Sequence, residues 1–264
     1  MKILLLFLAP LFIYAKVHYA KVEPYESIVL KSSVNALVVE VDLDSEGSMV
    51  DSKRIIHLDD TLDEVNLELL EESVILLHEM LDINNDIASS LKNTVKRKEE
   101  YYQRINKLMT ASKTQKDNAF SSFTSAKTQY LGIREKIVNL KKQILDMHSR
   151  IEQLKDTIRK KSLVVTNKYI YKIMVRKGDY VVPGASLVHV MDKTRAKLVV
   201  FLEADELKGL ERKSVYLNGN RTQYKVDKVW KVADEKFISS YRAEIYIPSP
   251  KKMFSKLMKV EIRE

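Results

Sequence analysis

Apolar side chains in residues 119–158 recur at alternating steps of three and four: Ala119, Phe123, Ala126, Tyr130, Ile133, Ile137, Leu140, Ile144, Met147, Ile151, Leu154 and Ile158. This a/d seam lasts for more than five heptads and predicts a coiled-coil helix. No proline interrupts it, and its one glycine, Gly132, costs only about 1 kcal/mol. A seam this long needs a partner. Residues 62–108, free of both Pro and Gly, supply a looser stripe of Leu62, Val65, Leu69, Leu76, Met80, Ile83, Ile87, Leu91, Tyr102, Ile105 and Leu108. Its phase slips near Ser73 and again near Leu91. Between the two stretches, residues 109–116 are polar with no apolar run and predict a tight turn. Two long helices joined this closely pack antiparallel. At about 1.5 Å per residue the hairpin is roughly 70 Å long.

Charge supports the same pairing. Asp59, Asp60, Asp63, Glu64, Glu68, Glu71, Glu72 and Glu79 meet no Lys or Arg within their stretch. In a hairpin turning near residue 110 they face Lys141, Lys142, Arg150, Lys155, Arg159, Lys160 and Lys161. Opposite flanking charges select partner and orientation, although each exposed pair contributes only about 0–1 kcal/mol.

The flanks of the hairpin read as short strands. Residues 34–41 are rich in β-branched side chains, Glu46-Gly47 turns the chain, and Val50 and residues 55–58 continue it. After the hairpin, residues 169–175 are strand-like, Lys177-Gly178-Asp179 turns, residues 180–182 resume, Pro183-Gly184 turns again, and residues 187–191 close the segment. Both flanks follow one pattern, which suggests two halves of one β-domain split by the hairpin. Residues 198–202 then predict a strand and 203–210 a short helix ending near Gly209. Further strands are expected at 215–217, 223–232, 237–238, 244–247 and 257–262, with Asn218-Gly219-Asn220 a hairpin-turn signal. Five or six short strands with one helix suggest a small β-barrel.

Residues 1–15 read as a secretory signal peptide, with Lys2 as the positive end, residues 3–13 as the apolar stretch and Ala15 at the cleavage position. An uncleaved anchor is the alternative, but the run falls short of the roughly 20 apolar residues a membrane span needs. The net charge of +9, with 31% charged residues, raises nucleic acid or anionic lipid as partners. The basic residues alternate with acids along the helices, and no basic patch interleaved with aromatics appears, so a solvated face is the better reading and no nucleic-acid partner is expected. With no cysteine there is no disulfide, thiol catalysis or thiolate zinc site. No nucleophile elbow, phosphate loop or dinucleotide fingerprint is present. The five histidines (His18, His57, His78, His148, His189) show no metal-ligand spacing, and the methionines are dispersed, so neither metal nor cofactor is expected. His78 and His148 are placed on solvated helix faces. The chain reads as a non-enzyme.

The segment from Lys177 through Gly178, Asp179, Pro183 and Gly184 to Leu187, Val190, Asp192 and Leu198 resembles the second lipoyl half of the periplasmic adaptors, or membrane fusion proteins, of tripartite efflux systems (the HlyD-like and RND-type adaptors). Residues 201–207 are similar to that family's passage into its β-barrel. The resemblance implies an α+β fold: a long antiparallel coiled-coil hairpin inserted in a split lipoyl-like domain, then a small β-barrel. The expected divisions are a signal peptide at 1–15, an N-terminal segment at 16–27, a first lipoyl-like half at 28–59, the hairpin at 60–161, a second half at 162–194 and the barrel at 195–264. The first half departs from the pattern, with Ala36 in place of a usual Gly and Lys53 in place of the Gly of the second turn.

In the family an Arg, a Leu four residues on and a Ser beyond the turn meet a TolC-like outer-membrane channel. Arg104, Leu108 and Ser112 match that pattern here, with three residues between the last two. The turn at Val182-Pro183-Gly184-Ala185 offers no Lys for lipoylation. The resemblance thus implies a periplasmic adaptor bridging an inner-membrane transporter, an RND pump in preference to an ABC transporter, to the channel, as a homo-oligomeric, hexameric ring. The expected chain ends with the barrel, which leaves the transporter contact to the barrel, the lipoyl-like domain or residues 16–25. The competing reading is a structural coiled-coil spacer of the envelope without a transport role.

Overall fold

The computed structural model describes residues 16–234, 237, 239–248, 250 and 254–263. The expected signal peptide lies outside them, as does Ile238 of an expected strand. In chain order the elements are β1 (Val17–Lys31), β2 (Ala36–Val41), β3 (Met49–Leu58), α1 (Thr61–Lys107), α2 (Lys113–Lys161), β4 (Ser162–Ile173), β5 (Tyr180–Val181), β6 (Ser186–Glu203), β7 (Ser214–Leu217), β8 (Asn220–Arg221), β9 (Lys228–Val229), β10 (Ser240–Pro248) and β11 (Leu257–Arg263). Contacts divide the chain into two units, one helical (34–39 and 57–162) and one of strands (up to 33, 40–56 and from 163 on).

In the helical unit, α1 and α2 run antiparallel. Lys155 pairs with Glu71 at 2.8 Å and Lys161 with Asp63 at 2.5 Å, while Tyr102 meets Phe120 and Phe123 near the other end. Two of the basic residues expected to cross the hairpin instead stay on α2: Arg159 and Lys160 both bind Asp156. Every one of the twelve seam residues read for α2 is buried or half-buried, with Ala119, Ala126, Leu140, Ile144 and Ile151 the most enclosed.

The α1 stripe differs from the expectation. Its inward line is Leu67, Leu70, Val74, Leu77, Leu81, Asn84, Ala88, Leu91, Val95, Tyr102 and Ile105, at unbroken heptad steps apart from the missing turn at Lys98. Of the stripe read from sequence only Leu91, Tyr102 and Ile105 lie on it; Leu62, Val65, Leu69, Leu76, Met80, Ile83, Ile87 and Leu108 are exposed. The slip near Leu91 is therefore a crossing from an outer apolar line to the inner one, whereas Leu69 and Leu76, on either side of Ser73, share the outer line.

The base of the hairpin is tied by short-range polar bonds. The Thr61 hydroxyl and N–H donate to Asp59 Oδ1 at 2.9 and 3.2 Å, and these bonds, the hydroxyl's first, lower the Asp59 pKa. Lys161 Nζ donates to the Asp59 carbonyl at 2.7 Å, and the Asp59 N–H to the Leu37 carbonyl at 2.8 Å.

In the strand unit every recorded pairing is antiparallel. β6 is its axis, pairing with β1, β4 and β10, while β11 bridges β1 to β7 and β7 pairs with β8. Alternation puts Leu198, Val200 and Leu202 of β6 into a core with Val22, Val215, Ile245, Ile247 and Val260. β1 runs through the expected divide at 27/28 and β6 through that at 194/195. At the latter point Pro24 opposes Ala196 while Glu26 opposes Asp192, so β6 bulges. Asp192 Oδ1 accepts from the Thr194 N–H (2.9 Å) and hydroxyl (2.6 Å), Oδ2 accepts from Lys168 Nζ (3.0 Å), and Arg195 stacks on the Tyr25 ring at 3.8 Å. Burial would raise the Asp192 carboxyl, but the Thr194 bonds and Lys168 bring it down to about 2.

Other expectations are corrected here. Glu203 ends β6 and residues 204–209 form consecutive turns leading to a 3-10 turn at Leu210–Arg212, since so short a segment cannot offset helix nucleation. Only Lys228–Val229 of the expected 223–232 strand is paired. Lys53 is not at a turn but within β3, where it pairs with Asp42 at 2.5 Å and, by that bond first, lowers the Asp42 pKa. Asn218 and Gly219 turn β7 into β8 with φ of 51° and 85°, the two positive angles that a two-residue hairpin loop requires.

Candidate docking site at the hairpin tip

The tip is built by how α1 stops and how α2 starts. Leu108 leaves the helix with ψ 120° while its N–H still donates to the Ile105 carbonyl at 3.2 Å. The Ala111 N–H reaches back to the Leu108 carbonyl at 3.4 Å. Ser112 then caps α2: its hydroxyl accepts from the Gln115 N–H at 3.2 Å, and Gln115 Oε1 accepts from the Ser112 N–H at 2.9 Å. This reciprocal capping box satisfies two otherwise unpaired donors. Residues 113–116, expected in the turn, are consequently the first turn of α2, and the connection shrinks to residues 108–112.

Beneath the turn, Tyr102 lies parallel to Phe123 (6.2 Å, 2°) and tilted against Phe120 (5.3 Å, 55°). This aromatic cluster fixes the end of α1 against the start of α2. Arg104 and Leu108 stand one turn apart on one exposed face of α1, rotated away from the seam residues Tyr102 and Ile105. Ser112 lies across the turn from them with its hydroxyl occupied by the cap. Sequence reasoning passed over Met109, which is 99% exposed beside the half-exposed Leu108. Its signal was an apolar side chain in a turn with no core to join.

Charge at the tip is one-sided. Arg104, Lys107, Lys113 and Lys116 surround it, against the single carboxylate of Asp117. Arg104 and Lys107 suit the C-terminal end of α1, but Lys113 and Lys116 occupy a helix start, where a cation is disfavoured by about 0.3–1 kcal/mol. Among the described residues none of these four bases has an ion-pair partner. The tip can thus offer two apolar side chains ringed by cations. Among the described residues no group of three His, Asp or Glu could hold a metal, and no helix is long and apolar enough to cross a membrane. A cleft of about 480 Å³ in the strand unit, lined by Lys21, Tyr169, Tyr171 and Phe254, is spanned by Lys193 stacking on Tyr169 at 3.9 Å.

No protein-family model and no curated protein sequence matches the chain. Its fold, however, is that of membrane fusion proteins. It is similar to the crystal structure of MacA from Actinobacillus actinomycetemcomitans, with TM-score 0.74 and 12% identity over 94% of this chain and 76% of that one. The membrane fusion protein Spr0693 from Streptococcus pneumoniae R6 is similar with TM-score 0.64 and 10% identity, over 95% of this chain and 99% of that one. A MacA-MexA chimera carrying the Pseudomonas aeruginosa MexA α-hairpin domain gives TM-score 0.54 and 14% identity, over 94% and 80% of the two chains. At these identities the likeness is one of fold.

Proposed function

We propose that this chain is a non-enzymatic periplasmic adaptor of the membrane fusion protein family. It is exported by residues 1–15 and bridges an inner-membrane transporter, of the RND type in preference to an ABC transporter, to a TolC-like outer-membrane channel. Six copies form a ring around the exit path. On this reading the flanks of the hairpin make a split lipoyl-like domain, and residues 195–264 a β-barrel that carries the transporter's movement. Arg104 and Leu108 dock the channel, and Ser112 fixes where α2 begins.

The observation that carries the reading is the fold shared with membrane fusion proteins over 94% of the chain, joined to a tip whose Leu108 and Met109 are exposed and whose four cations make no ion pair among the described residues. The test exploits the absence of cysteine. Ala111→Cys, at the tip, is expressed in cells and treated with a thiol-to-amine crosslinker. The expected product joins the chain to an outer-membrane channel. Crosslinks to other copies of the chain alone, with the protein folded and exported, would overturn the adaptor reading in favour of the envelope spacer.

A further inference from the structure

The cleft of about 480 Å³ in the strand unit is walled by β1, β4, β6 and the turn that leads into β11. Tyr169, Tyr171 and Phe254 supply aromatic surface, while Lys21, Lys193 and Lys197 supply three ammonium groups against the single carboxylate of Glu23. Among the described residues none of these lysines makes an ion pair, whereas Lys53, Lys168 and Lys259 of the same unit each do. The cleft therefore holds uncompensated positive charge beside ring faces.

The bulge in β6 builds this arrangement. Where β1 has Tyr25 alone, β6 has Lys193, Thr194 and Arg195. Thr194 folds back onto Asp192 and Arg195 stacks on Tyr25, so both have partners within the molecule. Lys193 is aimed across the cleft instead, its Nζ 3.9 Å from the centre of the Tyr169 ring and 5.2 Å from that of Phe254. The walls are held as well. The Ser255 N–H donates to the Val22 carbonyl and the Val22 N–H to the Lys256 carbonyl, each at 2.9 Å, which pins the Phe254 turn to β1. Ser255 keeps a φ of 63°, a left-handed conformation that persists only where its surroundings enforce it. Across the β4–β6 pair, His189 Nε2 and Ser27 Oγ share a hydrogen bond at 2.6 Å, and the same imidazole meets the Tyr171 ring edge-on at 5.0 Å.

We infer that this cleft binds a small planar aromatic acid. The ring faces recognise a flat ring by stacking, the ammonium groups recognise its carboxylate, and a volume of about 480 Å³ admits roughly one or two rings. A cationic ligand is disfavoured, because Lys193 already sits where a cation would stack and Lys21 and Lys197 repel it. An aliphatic acid leaves the rings unstacked. On binding, the flexible stem of Lys193 lets its ammonium exchange the Tyr169 face for the ligand carboxylate, and the ligand ring takes the vacated face. The site lies in the strand unit, away from the hairpin tip, and does not depend on the adaptor reading.

The test is isothermal titration calorimetry of the purified full chain with 1-naphthoate, 1-naphthylmethylammonium and octanoate. Naphthoate is expected to bind at one site per chain, at least tenfold tighter than either of the others. Lys193→Gln and Tyr169→Leu should each weaken it at least tenfold. Lys193→Arg should retain it, and Lys208→Gln, outside the cleft, should leave it unchanged. Lys21→Gln, a change at an exposed side chain, keeps the test decisive where Lys193→Gln or Tyr169→Leu does not fold, and should weaken naphthoate at least threefold. Equal binding of the cation or of octanoate would overturn the inference. So would naphthoate binding that survives these substitutions, or no saturation at millimolar naphthoate. None of these results bears on crosslinking of the tip to a channel, so the two readings fail separately.

Discussion

Asn84 is the one amide on the hairpin seam, and replacing it measures what holds the two helices in register. It is 4% exposed and stands at the level of Leu140 and Ile144 of α2, both buried. Its Nδ2 donates to the Met80 carbonyl one turn back at 2.6 Å, a group already serving the helix, while Oδ1 is buried without a partner. A buried unpaired acceptor costs about 1–3 kcal/mol, and the back-bond returns roughly 0.5–1.5 kcal/mol. Leucine at this position removes the orphan oxygen and adds apolar burial of about 1.5–3 kcal/mol, part of which is lost to crowding against Leu140. Asn84→Leu should therefore stabilise the hairpin by about 2 kcal/mol. At roughly 2–4 °C per kcal/mol for a chain of this size, the helical transition should rise by about 4–8 °C. Circular dichroism at 222 nm during heating reads this transition, and because contacts divide the chain into two units it should be fitted apart from that of the strands. An unchanged or lowered midpoint would refute the reasoning, since it would mean that Oδ1 is solvated in the native hairpin. Stabilisation should be accompanied by lost register, seen as wider crosslinking between cysteine pairs across the seam, because polar seam residues specify alignment.

Two further outcomes follow from the polar joints. The Asp192 carboxyl titrates at about 2 in the folded chain against 3.8 for its ordinary value, so its contribution of about 2 kcal/mol is complete above that value and disappears as pH falls toward 2. Urea unfolding of Asp192→Asn should show a stability gap from the parent chain at pH 7 that closes through this window; an equal gap at pH 7 and pH 2 would count against the Lys168 and Thr194 bonds. Ser112→Ala removes one arm of the capping box and should cost about 1 kcal/mol, with hydrogen exchange at the Gln115 amide accelerated and that at Ile144 unchanged.

How far the sequence revealed this fold depended on how many solutions each segment allowed. α2 has one continuous apolar line, and every residue read on it faces α1. α1 has two of comparable strength: Leu76, Met80, Ile83 and Ile87 on the outward line compete with Val74, Leu77, Leu81 and Ala88 on the inward one, which Asn84 interrupts. Only the fit to α2, which periodicity within one helix does not contain, decides between them. Among the strands, Asn218-Gly219 specified its turn by itself, because positive φ at both positions excludes most residues. The segment at 203–210 had helical composition but too little length to keep a helix, and of residues 223–232 only Asp227 to Trp230 bond to the β10 backbone, too few to extend a strand through the whole alternating stretch. At the tip, spacing identified Arg104 and Leu108 as neighbours, whereas the exposure of Met109 and the capping role of Ser112 depend on where α2 begins.

That starting point limits what the tip can do. Capping engages the Ser112 hydroxyl as an acceptor, and Tyr102, Phe120 and Phe123 hold the end of α1 against the start of α2. The outward groups are then Leu108 and Met109 within a rim of Arg104, Lys107, Lys113 and Lys116. The outer line of α1 continues on the same helical face toward Arg104 and Leu108. In the proposed ring every tip is oriented alike, so that weak individual contacts act together on a symmetric partner. A spacer needs no such outward line, and the second apolar stripe is therefore the feature of this hairpin that most favours assembly over mere length.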